Sequence, residues 1–216
     1  MAVFDVLIIE TSTPTGSIAL VSEGEIVGEK SFTSDRRHNA ALFEPLGEIL
    51  AQHGSRSFDA VFVGSGPGSY SGTRVGIAAA QGAALVAGSK AIAIPSILAV
   101  PEALTGEPCI AVGDARRGSY WFAKISEGQL LTEPELTDEI GLDSAVRQAE
   151  ASGHPVFCLD AIKGKGIAMS KPSASGLWQA WQNAPPKTRA LWTGEIPQPI
   201  YLKPPHITPS KKKVFG

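Results

Sequence analysis

Pro108-Cys109-Ile110-Ala111-Val112-Gly113-Asp114-Ala115-Arg116-Arg117-Gly118 reads as a buried strand that runs into a turn with an acid at its edge. The chain has already done this once. Val6–Ile9 is an equally apolar run, and it ends at Glu10-Thr11-Ser12-Thr13-Pro14, a turn rich in hydroxyls. After the first turn, Gly16–Val21 reads as a return strand and Glu25–Phe32 as a third. After the second, Ser119–Ile125 and Gln129–Leu136 take the same places. Gly16-Ser17 with Ser22-Glu23-Gly24 in one half matches Gly118-Ser119 with Ser126-Glu127-Gly128 in the other. The matching order and motif positions point to an internal duplication.

The remaining elements extend the echo. Leu42, Phe43, Leu46, Ile49 and Leu50 give a helical stripe across residues 39–53, in which Pro45 predicts a bend or a late start. Ala60–Gly64 is a buried strand, a glycine-rich turn leads into a helix over 72–88, and Ala91–Ile94 is the next strand. The second half adds a helix near Leu142–Ala151 and a strand at Val156–Leu159. A short helical stretch near Leu177–Gln182 follows, ended by Ala184-Pro185-Pro186. The expected fold is α/β: two ribonuclease-H-like lobes of the actin-like (ASKHA) kind, each a mixed sheet with helices, the second truncated. The expected division is a first lobe over 1–104, a smaller one over 105–202 and a basic, proline-rich tail over 203–216.

Composition narrows the function classes. A net charge of −2 over 216 residues excludes a wide nucleic-acid footprint. The basic charge is local: Lys203, Lys211, Lys212 and Lys213 lie in a tail without Asp or Glu, read as a solvated end with RNA contact as the alternative. Cys109 and Cys158 sit in strand-like apolar runs and read as buried small hydrophobes in a reducing compartment. No basic residue precedes the first apolar run, so no signal peptide is expected. Residues 75–100 are apolar, but Gln81, Gly82, Gly88-Ser89-Lys90 and Pro95 interrupt them. A cytoplasmic protein without a membrane segment is the expectation.

Gly64 to Gly88 carries the functional question. Gly66-Pro67-Gly68-Ser69-Tyr70-Ser71-Gly72-Thr73-Arg74 lacks the Gly-Lys-Ser/Thr ending of a P-loop, and Ser69 breaks the dinucleotide fingerprint begun by Gly64 and Gly66. A capping hydroxyl, Ser69 or Ser71, on a helix start remains, where an anion could bind with help from Arg74; the competing reading is a turn built for close packing. Glu10-Thr11-Ser12-Thr13 and the Asp114 turn stand where an actin-like kinase keeps its phosphate loops. A ribonuclease-H-type metal site would need further acids beside Glu10, and only Asp59 offers itself in that lobe. His38, His53, His154 and His206 have no metal-ligand spacing, and no serine elbow is visible. The helix invites a docking reading. Gly76, Ala80, Ala83 and Ala87 recur on one face, so another helix could come close, with Leu42, Leu46 and Ile49 supplying bulk beside it. The alternative is that the small face packs on the chain's own sheet.

Ile8-Ile9-Glu10-Thr11-Ser12, Gly66 to Gly76, Asp114-Ala115-Arg116-Arg117-Gly118 and Pro199-Ile200-Tyr201-Leu202-Lys203 resemble the TsaB (YeaZ) family over nearly the whole length. The glycine-rich segment running into the small-residue helix is the specific part. The resemblance implies a non-catalytic subunit that dimerises with TsaD and works with TsaE in threonylcarbamoyl transfer to the tRNA adenosine next to the anticodon, touching tRNA only indirectly. It implies a partner interface at Leu42, Leu46, Ile49, Arg74, Gly76, Ala80, Ala83 and Ala87, no catalytic or metal residues, and no cofactor of its own. Nucleotide or anion contacts would fall at Glu10, Ser12, Gly66, Gly68, Ser69 and Asp114, with ATP or ADP at or near the heterodimer interface. Ile97 and Pro101 stand where TsaD carries an HxxxH metal motif. Two features depart from the family: Glu10 where Asp is usual, and a short second lobe before Tyr201. A stand-alone actin-like kinase or ATPase, and a homodimeric scaffold, are the alternatives.

Overall fold

The computed structural model describes residues 5–33, 39–54 and 57–202. The first half builds β1 (Val6–Glu10), β2 (Thr15–Ser22) and β3 (Glu25–Thr33), then a 3-10 turn at Asn39–Leu42 leading into α1 (Phe43–His53). Pro45 falls in the first turn of α1, where its missing N–H costs nothing, so the expected late start is what forms. β4 (Ala60–Gly64), α2 (Tyr70–Ala87) and β5 (Lys90–Ile94) complete the sheet, in the order β3-β2-β1-β4-β5. A short turn at Ser96–Leu98 and α3 (Pro101–Leu104) lead to the second half.

That half repeats the plan. β6 (Cys109–Asp114), β7 (Tyr120–Ser126), β8 (Gln129–Leu130) and β9 (Glu135–Thr137) are followed by α4 (Glu139–Ala151), β10 (Val156–Cys158) and β11 (Ala168–Met169). The sheet runs β11-β10-β6-β7-β8, with β9 also on β7. Pairing matches strand for strand: β1 is antiparallel to β2 and parallel to β4, as β6 is to β7 and β10. Glu10 closes β1 opposite Ser17, and Asp114 closes β6 opposite Tyr120. The two lobes are ribonuclease-H-like and the whole is actin-like. The single strand expected over Gln129–Leu136 is two short ones, because Pro134 lies between them and cannot donate to a ladder.

Both faces of the first sheet are buried, which explains its unbroken apolar runs. Leu7, Ile9, Ile18, Val61 and Val63 point to the side covered by α1 and α2, while Val6, Ile8, Ala19 and Phe62 point to the other. That other side is covered by α5 (Ala174–Asn183), whose Trp178 stacks on Phe62 with ring centroids 6.1 Å apart. The α5 backbone is tied to β2 by the Ala174 N–H, which donates to Ser17 Oγ at 2.8 Å. Residues 105–202 are therefore not one lobe: β6 to β11 form the second sheet, and the chain then returns to the first. The Pro185-Pro186 pair does not end the helical region either. Pro186 begins α6 (Pro186–Gly194), where the first helical position tolerates proline.

Candidate functional site: the interlobe cleft and the outward side of α2

A cleft of about 1150 Å³ lies between the lobes, walled by the turn after β1, the glycine-rich loop, the turn after β6 and residues 199–202. Its first-lobe wall begins at Ser69, the N-cap of α2, whose Oγ accepts the Gly72 N–H at 3.2 Å. Gly88 closes the same helix in the left-handed conformation, at φ 66°. At the start of this helix, three glycines four residues apart, Gly68, Gly72 and Gly76, meet the Thr11–Ser12 segment. A Cβ at Gly68 would overlap the Ser12 carbonyl oxygen, one at Gly72 the Thr11 carbonyl oxygen, and one at Gly76 the Thr11 hydroxyl. The small residues let α2 lie directly on the β1–β2 hairpin.

This packing bears directly on the anion reading. The Ser69 N–H donates to the Ser12 carbonyl at 2.6 Å, the Thr73 N–H to the Ser69 carbonyl at 2.9 Å, and the Thr11 hydroxyl to the Gly72 carbonyl at 2.9 Å. The positive end of α2 is covered by carbonyl oxygens of the chain's own hairpin, which repel an anion. Gly68 and Ser69 line the cleft, and the Ser69 N–H is spent on the hairpin. Glu10, Ser12 and Gly66 are buried and do not line it, so these three expected contacts are corrected.

Glu10 is fully enclosed. Its Oε1 accepts the Ser12 N–H at 2.6 Å, and Oε2 has no hydrogen-bond partner. A Cβ at Gly64 would collide with this carboxyl, so the close of β4 must be glycine. Burial pushes the Glu10 carboxyl above its ordinary range, and the nearby Ser12 and Ser96 hydroxyls oppose this only in part. Asp59 is no partner to it. It precedes β4, where its Oδ2 accepts the Asp5 N–H at 2.8 Å, at the opposite end of the parallel β1–β4 pair.

Asp114 repeats the local geometry of Glu10 in the open. Its Oδ1 accepts the Arg116 N–H at 2.6 Å, and its Oδ2 lies 3.6 Å from the Arg116 guanidinium. Of the expected nucleotide contacts it alone presents a charge to the cleft, and that charge is engaged. No three His, Cys, Asp or Glu residues among those described come together as metal ligands. The cysteines offer no nucleophile, since burial, with Glu102 adding to it, pushes the Cys109 thiol up to about 12.

The expected interface residues also need correcting. Leu42, Leu46, Ile49, Gly76 and Ala80 are buried in the core beneath α1 and α2, where no partner can reach them. Ala83 and Ala87 are half-buried and Arg74 is exposed. The surface these helices present outward is different: Phe43 on α1, and Ala78, Gln81, Gly82, Leu85 and Val86 on α2. Leu85 and Val86 are 82% and 90% exposed. The spacing found a small-residue stripe but could not say which neighbour it faces; the flanking Leu85-Val86 pair was the missed signal. The tail from 203, with His38 and His206, lies outside the described residues, and no described helix is long and apolar enough to cross a membrane.

Residues 25–178 match the family model described as "TsaD: tRNA N6-adenosine threonylcarbamoyltransferase". The chain is 34% identical over 125 residues to the tRNA threonylcarbamoyladenosine biosynthesis protein TsaB of Haemophilus influenzae, a match covering 55% of this chain and 52% of that one. It is 28% identical over 210 residues to an uncharacterised Mycobacterium tuberculosis protein, covering 94% of each. A crystal structure titled as an uncharacterised protein with similarity to peptidase YeaZ, from Pseudomonas aeruginosa, superposes with a TM-score of 0.70 at 20% identity, over 93% of this chain and all of that one. With that family model matched over more than half of the chain, the chain belongs to the TsaD family, and the named relatives it resembles within it are called TsaB and YeaZ.

Proposed function

We propose that this chain is the non-catalytic partner of a TsaD-type subunit in the synthesis of threonylcarbamoyladenosine on tRNA. Its TsaB relatives carry the name of that pathway, which supports the reading. The observation that carries the finer reading is the outward side of α2. Leu85 and Val86 stand almost fully exposed beside Ala78 and Gly82, a shallow apolar surface suited to close helix approach. Two such helices from each of two homologous lobes would form a four-helix interface of ordinary protein–protein area.

The chemistry belongs to the partner. At the two positions where the resemblance places the TsaD metal motif, this chain has a buried isoleucine, Ile97, and a proline, Pro101, neither with a side-chain donor atom. Two of the helix-start donors that could hold a phosphate, the Ser69 and Gly72 N–H groups, are spent on Ser12 and Ser69. A nucleotide at or near the joint, where the pathway uses one, is therefore held mainly by groups from TsaD or TsaE. The same α2 surface would serve a homodimer when the chain is isolated, so the assay must contain the partner. In a reconstituted reaction with TsaC, TsaD, TsaE, tRNA, threonine, bicarbonate and ATP, omitting this chain should abolish threonylcarbamoyladenosine, and the chain alone should make none. Full product without it, or robust ATP hydrolysis by it alone, would overturn the reading.

A further inference from the structure

Tyr70 and Tyr201 stand at the mouth of the cleft, 55% and 50% exposed, with ring centroids 6.1 Å apart. They come from distant parts of the chain. Tyr70 opens α2, and Tyr201 follows Ile200, whose N–H is fixed to the Ser65 carbonyl at 2.9 Å. An aromatic pair so held, yet left half in water, is a preorganised surface. Beside it the Arg74 guanidinium lies 5.1 Å from the Tyr70 ring centre and donates to the Tyr70 hydroxyl at 2.9 Å.

The facing lobe adds a second feature. The hairpin tip after β6 holds Arg116 and Arg117 at φ 67° and 59°, immediately before Gly118 at φ 72°. Glu23 before Gly24 and Glu127 before Gly128 take the same left-handed backbone at their hairpin tips, so the turn is an ordinary hairpin turn that here carries two arginines. Arg116 lines the cleft opposite the tyrosines, and Arg117 is exposed next to it.

We propose that this rim binds single-stranded RNA, with bases stacked on Tyr70 and Tyr201 and phosphates on the Arg74 and Arg117 cations and on Arg116, whose exposed 3.6 Å pairing with Asp114 a phosphate would displace. Aromatic faces interleaved with arginine fit unpaired nucleotides. A duplex would need the broad positive band that a net charge of −2 does not supply. An acidic peptide would use the arginines but gain little from the rings. Two acids share the cleft, Asp114 beside Arg116 and Asp160, and both oppose the bound phosphates. From Tyr201 the sequence continues into residues 203–216, with four lysines and no acid. The inference adds direct RNA contact to the subunit role and does not depend on partner pairing.

The test is fluorescence anisotropy of the full chain with a labelled twelve-nucleotide RNA, single-stranded or annealed to its complement, in low and moderate potassium chloride. The single strand should bind more tightly than the duplex. Tyr70→Ala with Tyr201→Ala should weaken binding about tenfold or more, while Phe at both positions should retain it. Arg116→Gln with Arg117→Gln should weaken binding and flatten its salt dependence, and Asp160→Asn should tighten it. Thermal melts establish that each variant is folded. No binding at low salt, equal loss in the Phe and Ala pairs, or equal affinity for an oligoglutamate peptide would overturn the proposal. Chromatography with TsaD, run separately, tells this failure from failure of the pairing reading.

Discussion

Glu10 and the α2 glycines show what single positions do here. A carboxyl whose proton is held more tightly in the folded state than in the unfolded one favours folding at low pH. Stability is then lost as pH rises from the ordinary value of 4.5 towards the raised folded value. Glu10→Gln keeps an acceptor for the Ser12 N–H and removes the ionisation. Its melting temperature should exceed wild type at pH 8, with the gap closing by pH 4; a gap independent of pH would contradict the buried-acid account. Two glycines of α2 should respond oppositely to alanine. Gly82 has nothing within 4 Å of a Cβ, so Gly82→Ala gains about 0.5–1 kcal/mol of helix propensity and raises the melting temperature by a few degrees. Gly72→Ala drives a methyl into the Thr11 carbonyl and should cost about 1–3 kcal/mol beyond that gain. Scanning calorimetry of both variants checks the sign.

At the scale of elements, α5 joins what the sequence seemed to separate. Its Trp178 and Leu177 belong to one core shared with Phe62 of the first sheet and Trp121 and Phe157 of the second. Trp178→Ala should therefore cost about 3–5 kcal/mol and lower a single cooperative melting transition. Two separated transitions would mean that the lobes unfold independently. The strands were legible because their apolar runs are long and bounded by turns: β4 has the expected ends, and β1, β6 and β10 differ by a residue or two. The acid closing each first strand was legible for the same reason. What could not be read was contact over distance. Gly68, Gly72 and Gly76 looked like an anion loop and a docking face, yet their neighbour is the Thr11–Ser12 backbone some sixty residues earlier. Similarly, Pro185-Pro186 looked like an end because proline breaks a helix interior, whereas its place at the first turn of α6 makes it a start.

The whole molecule is built of two sheets of the same plan, and the polar groups at the head of the first are turned inward. The helix start that could hold a phosphate holds the chain's own hairpin, the first-lobe acid is sealed, and the second-lobe acid is bound by its own turn. What faces outward is an apolar side of α2 and a tyrosine–arginine rim, both fit for partners. The docking face is most directly tested by co-purifying this chain with TsaD of the same organism and measuring mass by size-exclusion chromatography with light scattering. Leu85→Arg with Val86→Asp is the informative variant, since both side chains are exposed and the fold should survive; Ala80→Arg would instead disrupt the core. The account predicts a one-to-one complex for the wild type and separate subunits for the folded variant. No wild-type complex, or a complex unchanged by the substitutions, would contradict it.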